Sequence, residues 1–243
     1  MEFKMRQKAT RWGQGLWAAL VTLFVFGTVS PAQAVFVLAF DLDGNPLNGV
    51  AVEITDNGAG DLNSAVGAIT FIGPVGAFGI NVSTAISKPV IGPLQLDLNS
   101  VNVTTAGPGT ITIIASDTGY DEPIGQATLV SNIGGVVSAG GTLTALQGVD
   151  LLNFLYGMFF FDSAVHFVSH GPFGPGAFSD VQSVGFTGLG GTFSLTDAVT
   201  IIHTGAGSSS FNLHSLVVPE PATLALLALG LIGVAGFARR RAL

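Results

Sequence analysis

The chain has 243 residues, no cysteine and a net charge of −7, with 8 Lys and Arg against 15 Asp and Glu. The missing cysteine excludes thiol catalysis, disulfide frameworks and thiolate metal sites, and this length is enough for one domain to bury a core without cross-links. The few cations leave no basic surface to displace counterions from nucleic acid or to hold anionic lipid.

In chain order, Lys4, Arg6, Lys8 and Arg11 come first, followed by an apolar stretch from Leu16 to Val29. Pro31-Ala32-Gln33-Ala34 then supplies small residues at Ala32 and Ala34. This is the order of a secretory signal peptide over residues 1–34, cut by signal peptidase after Ala34. An uncleaved N-terminal membrane helix is the alternative.

From Val35 to Val218, short runs rich in Val, Ile, Thr and Phe recur between Gly, Asn, Asp and Pro clusters. They predict strands at Val35–Asp41, Val50–Thr55, Gly67–Ile72, Phe78–Thr84, Leu94–Thr104, Thr110–Ser116 and Gly125–Ser131. Further strands are predicted at Val136–Ala145, Met158–Ser169, Ala177–Thr187, Gly191–Leu195, Val199–Thr204 and Phe211–Val217. Turn signals about every ten residues favour an all-β, antiparallel, jelly-roll-like sandwich over a parallel sheet with helical crossovers. One helix is expected, at Leu146–Leu155, where Leu146, Val149, Leu152 and Leu155 share a face. The run from Gly171 to Gly176 reads as a long loop, and Gly205 to Ser210 as a flexible hairpin connection.

Candidate chemistry is sparse. Asp41, Asp43 and Asn45 set oxygen side chains at alternate positions, as calcium loops begin, with Asp56, Asp61 and Asn63 nearby. Pro46 stands where an EF-hand needs glycine and Val52 where it needs an acid, so the choice is between an Asx-rich calcium turn and plain turn chemistry. Asp117, Asp121 and Glu122 pose the same choice. His166 and His170 lie four apart, a chelating spacing on a helix but about 13 Å on a strand. Their alternating surroundings favour the strand. No Gly-x-Ser-x-Gly elbow occurs, although Ser, His and Asp could still converge in space. Asn81-Val82-Ser83 and Asn102-Val103-Thr104 match glycosylation sequons inside predicted strands, where they read as polar strand faces.

The last segment, residues 219–243, has a different character. Pro219-Glu220-Pro221 precedes an uncharged apolar run from Ala222 to Ala238, closed by Arg239, Arg240 and Arg241. The run is just long enough to cross a hydrocarbon core, and the arginines hold its end in the cytoplasm. This arrangement resembles the PEP-CTERM sorting signal of Gram-negative bacteria. The resemblance implies an inner-membrane anchor that is temporary, processing by an exosortase near the Pro-Glu-Pro, and a final address at the cell surface or outside it. The stretch from Ile54 to Tyr120, with Ile54-Thr55-Asp56-Asn57-Gly58, Phe78-Gly79-Ile80-Asn81-Val82 and Ala115-Ser116-Asp117-Thr118-Gly119, also resembles an uncharacterised family of exported PEP-CTERM proteins. That likeness implies a surface β-domain with no established activity.

With both end segments set aside, one lysine, Lys88, faces thirteen Asp and Glu, which leaves about −12 on residues 35–218. Three function classes follow. The first is a non-enzymatic surface or matrix protein deposited with exopolysaccharide. The second is a carbohydrate-binding module assisted by Ca²⁺ at the Asp-rich turns, thinly supported because both tryptophans lie in the signal peptide. A secreted hydrolase ranks last, since only Glu53 and Glu122 are glutamates of the middle region. The expectation is no enzyme, no nucleic acid and no required cofactor.

Overall fold

Alternating burial along the chain converts its β-branched and aromatic residues into two stacked six-stranded sheets. The computed structural model describes residues 34–220, Glu122 and Phe161 excepted. The predicted signal peptide apart from Ala34, together with Pro221, the apolar run and the arginine triplet, lies outside the described residues. Among the described residues no helix is long and apolar enough to cross a membrane.

The first sheet takes β1 (Phe36–Asp41), β2 (Val52–Thr55), β6 (Gly109–Asp121), β8 (Gly141–Asp150), β9 (Val165–Phe173) and β11 (Thr192–His203), in the order β2-β1-β6-β11-β8-β9. The second takes β3 (Ala68–Val75), β4 (Phe78–Ile86), β5 (Gln95–Thr105), β7 (Ile124–Val137), β10 (Gly176–Leu189) and β12 (Gly207–Pro219), in the order β10-β7-β12-β5-β4-β3. All pairings are antiparallel. The expected antiparallel sandwich is therefore present.

Between the sheets lies the core. Phe36, Leu38 and Phe40 of β1 meet Ile111 and Ile113 of β6, Val199 and Ile201 of β11, and Leu96, Leu98, Leu213 and Phe211 from the opposite sheet. Each such side chain contributes about 1.5–3 kcal/mol when fully buried. The first sheet is also covered on its outer face. Met158, in a short 3-10 helix (Gly157–Phe160), packs with Ala39, Ile114 and Ala198. A Cβ at Gly148 would stand 2.8 Å from Met158 Cγ, so the glycine makes room for this cover.

Several sequence expectations need correction. Leu146–Leu155 is not a helix: its first five residues finish β8, which pairs with β11 and β9 on its two sides. Ladders on both flanks satisfy more backbone groups than an isolated helical turn or two could, and Gln147 and Val149 point inward. Strand β9 starts at Val165 rather than Met158. The Gly171–Gly176 run is no long loop, because only Gly174 and Pro175 separate β9 from β10 as the chain passes between sheets. Ser208, Ser209 and Ser210 belong to β12.

Two inward carboxylates shape the core. At β6 the register against β11 breaks, with Asp117 opposite Leu195 and Tyr120 opposite Phe193. Thr118 and Gly119 together oppose Ser194, and Gly119 adopts φ +71°, so a β-bulge turns Asp117 and Tyr120, three residues apart, to the same inner face. Lys88, entering from the β4–β5 connection of the other sheet, places Nζ 2.7 Å from Asp117 Oδ2 and 2.6 Å from Thr118 O. Nζ also lies 3.8 Å from the centroid of the Tyr120 ring. Ser87 Oγ donates to Asp117 Oδ2 as well, and Tyr120 OH donates to Gln95 O at 3.0 Å. Burial and the Asp117 charge hold the Tyr120 hydroxyl well above its ordinary pKa, so it stays a donor.

Among the described residues Asp197 of β11 has no cation beside it. Ser215 Oγ of β12 donates to its Oδ1 at 2.5 Å and Gln147 Nε2 of β8 at 3.2 Å, while Oδ2 is without a partner. Complete burial pushes its pKa up to about 8, against the lowering effect of those two hydrogen bonds. It is therefore a neutral acid at pH 7.

Two outcomes follow for stability. Lys88→Met leaves Asp117 buried without its cation and should cost about 3–5 kcal/mol in urea unfolding, with Asp117→Asn in the same chain restoring part of the loss. For Asp197 the folded pKa lies above the unfolded value of about 4, so its contribution is complete below pH 4 and lost as pH rises towards 8, at about 1.4 kcal/mol per unit. Thermal unfolding from pH 5 to 8.5 should show the melting temperature of the wild type falling, and Asp197→Asn should flatten that slope.

Candidate functional site

The outer face of the first sheet carries a groove built from strand register. Asp41 of β1 stands opposite Thr112 of β6, Thr112 opposite Thr200 of β11, and Thr200 opposite Thr144 of β8. Directly opposed residues share a face, so one polar row crosses four strands. Thr112 Oγ1 and Thr200 Oγ1 are 2.9 Å apart and bonded to each other. The Gly44–Leu47 turn rises on one side of this floor, and Leu146, Phe159 and Ala198 rise on the other. The resulting cavity is about 230 Å³. Asp41 is 2% exposed, and its Oδ2 has no hydrogen-bond partner.

The turn itself is held by successive Asx bonds. Asp41 Oδ1 accepts from Asp43 N at 3.3 Å, Asp43 Oδ1 from Asn45 N at 2.9 Å, and Asn45 Oδ1 from Leu47 N at 3.3 Å. Asp43 Oδ2 accepts from Asn48 Nδ2 at 2.9 Å, and that bond, followed by the Asn45 amide, lowers the Asp43 pKa. Both Asp43 oxygens are thus occupied in shaping the loop.

Asp56 and Asp61 sit elsewhere. Asp56 N donates to Phe36 O, at the far end of β1 from Asp41, so about five residue rises separate the two clusters. Asp61 Oδ1 accepts from Asn63 N and Thr70 N, its Oδ2 from Asn57 N, and Asp56 Oδ2 from Gly67 N. These carboxylates cap backbone donors of the β2–β3 connection. Asp117, of the third predicted cluster, is spent on Lys88. Among the described residues no group of three or more His, Cys, Asp or Glu is placed to hold a metal ion.

One constellation was invisible in the sequence because three strands supply it. Ser131 Oγ of β7 lies 2.5 Å from His170 Nε2 of β9, and His170 Nδ1 lies 2.9 Å from Asp180 Oδ2 of β10. The connectivity is that of a nucleophile, base and orienting acid. Ser131 is 0% exposed and faces the space between the sheets, so no substrate reaches its hydroxyl in this structure. Hydrogen bonds from Gln182 and then His170 lower the Asp180 pKa. What the set does here is tie β9 of one sheet to β7 and β10 of the other. His166 shares β9 with His170, as the alternation predicted, and stacks on Phe186 with ring centroids 5.6 Å apart. The two sequons lie in β4 and β5, also as expected.

Both ends of the described chain are tied into sheets. Just after Ala34, Val35 N donates to Thr118 Oγ1 at 2.9 Å. At the other end Val218 and Pro219 pair with Thr128 and Ala127 of β7, and Glu220 N donates to Gln126 O at 2.9 Å. Pro219 and Glu220 are exposed, and no linker separates them from the sandwich.

Residues 217–241 match the PEP-CTERM protein-sorting motif. No curated protein matches the chain. Among solved structures, similar ones include TmCBM61 in complex with beta-1,4-galactotriose, at 10% identity over 59% of this chain and 83% of that one, with a TM-score of 0.31. A CBM4 structure has 12% identity over 63% and 87%, with a TM-score of 0.29. The adhesin domain of Epf from Streptococcus pyogenes has 11% identity over 76% and 60%, with a TM-score of 0.35. Likenesses of this size transfer neither a ligand nor a residue role to this chain.

Proposed function

We propose that this chain, a PEP-CTERM sorting-signal protein, is a non-enzymatic component of the cell surface or extracellular matrix, anchored in the inner membrane during export and released by an exosortase. The observation that carries the reading is the sorting motif at 217–241, fused without a spacer to the last strand of the sandwich. The acidic exported domain, with its single lysine, supports a solvated role among neutral polymers rather than on anionic surfaces. Burial of Ser131 supports the non-enzymatic part.

A second reading, binding of a neutral saccharide unit, is favoured by the groove over Asp41, Thr112, Thr200 and Thr144. Its floor offers threonine hydroxyls, and Phe159, Leu146 and Leu47 offer apolar surface to the C–H face of a sugar ring. The surrounding negative charge disfavours uronic acids and sulfated sugars. Calcium assistance, the form in which the sequence suggested this function, finds less support, because the Asp43 oxygens already bind the loop.

Two experiments test these readings. Glu220→Ala, or deletion of Arg239–Arg241, should leave most of the protein unprocessed in the membrane fraction, and normal maturation of both would sink the sorting role. On an array of neutral and acidic glycans, the protein should bind neutral ones equally in Ca²⁺ and EGTA. Thr200→Val, which keeps the strand's β-branched shape, should weaken that binding by about tenfold through loss of one floor hydroxyl.

A further inference from the structure

The two sheets present four edges, and three of them are guarded. Strand β2 has only four residues. Strand β3 contains Pro74 and a register break between Ile69 and Phe71, and the preceding loop occupies its outer side, with Leu62 N donating to Thr70 O and Thr70 N to Asp61 Oδ1. Strand β9 has a register break and Pro172. These are the devices by which exposed edges avoid pairing with other chains.

Strand β10 has none of them. All fourteen of its residues, Gly176 to Leu189, pair with β7 without a break, and none is Lys, Arg or Pro. Its backbone polarity can be read from its neighbours. On β7 the even-numbered residues bond to β12, as Gln126 O with Glu220 N and Ser138 N with Ser208 O demonstrate just beyond the paired stretch. The odd-numbered residues of β7 therefore bond to β10, and the register joins them to its even-numbered residues. Ala177, Ser179, Val181, Ser183, Gly185 and Thr187 turn their N–H and C=O groups away from β7. Val181 N agrees, since it donates to Asp180 Oδ1.

We propose that this edge pairs with β10 of a second copy, antiparallel about a two-fold axis at Gln182, so that the β10-containing sheet continues across two molecules. In that register Val181 bonds Ser183, Ser179 bonds Gly185 and Ala177 bonds Thr187. Between these pairs Phe178 faces Phe186, Asp180 faces Val184 and Gln182 faces its own counterpart. The one charge on the strand meets an apolar side chain rather than its twin, which is what a self-complementary edge requires. Val181, 67% exposed, gains a neighbour, and Asp180 yields the Val181 N–H to a carbonyl. Repulsion between two domains of about −12 each makes the pairing stronger as salt rises.

The chain has no cysteine, so a single introduced thiol reports cleanly. Full-length Gln182→Cys, expressed in its exporting host and treated with a mild oxidant, should give a disulfide-linked dimer on a non-reducing gel, more of it at higher salt. Ile72→Cys, also exposed and on the other edge strand, should stay monomeric. Ser183→Pro in the Gln182→Cys chain removes an outward N–H while sparing the bonds to β7, and should lower the dimer by about tenfold with the circular dichroism of the fold retained. Absence of the Gln182→Cys dimer from folded protein, its persistence with Ser183→Pro, or equal cross-linking through Ile72→Cys would overturn the proposal.

Discussion

One lysine serves an exported domain of thirteen acidic residues, and the interior is organised around that shortage. Lys88 is spent where an acid is turned inward by a bulge, and its ammonium joins one sheet to the other beneath Tyr120. No second cation exists for Asp197, which keeps its proton instead and accepts from Ser215 across the core. A third contact, His170 with Ser131, needs no full charge. The two sheets are thus joined by polar contacts of three kinds, each matched to the groups available. A buried polar group left unmatched costs more than an apolar one, so these contacts specify how the layers sit.

The acidic turns show the same economy. The carboxylates of Asp43, Asp56 and Asp61 already accept backbone or side-chain donors within their own loops. Asp41 differs because its strand position sends it beneath the groove, with one oxygen unpartnered. The turn that resembled a calcium loop becomes instead one wall of a cavity whose floor is threonine.

Export and architecture meet at the two ends of the fold. The chain enters the first sheet directly after Ala34, and leaves the second through Pro219 and Glu220 while still paired with β7. The sorting segment is therefore continuous with a central strand, next to the one that carries the open edge of β10. The same domain carries a sheet edge, a polar groove and thirteen acidic residues against one lysine.

Some of this was legible in the residues. Alternation in Ile111 to Ser116 and Phe211 to Leu216 marks half-buried strands whatever their neighbours, because the period of two belongs to the backbone. The sorting segment is legible for a similar reason: Pro-Glu-Pro, an apolar run and closing arginines form a pattern that is read without a fold. Leu146 to Leu155 misled because helical spacing of leucines is a local signal, while the ladders flanking β8 come from residues far away in sequence. The meeting of Ser131, His170 and Asp180, the pairing of Lys88 with Asp117 through a bulge at Gly119, and the row from Asp41 to Thr144 left no local trace. Each depends on register between strands, and register is decided by which faces can be buried together. The residues alone specify the β class and the sorting motif, whereas tertiary pairing selects which side chains meet, because that choice rests on strands far apart in the chain.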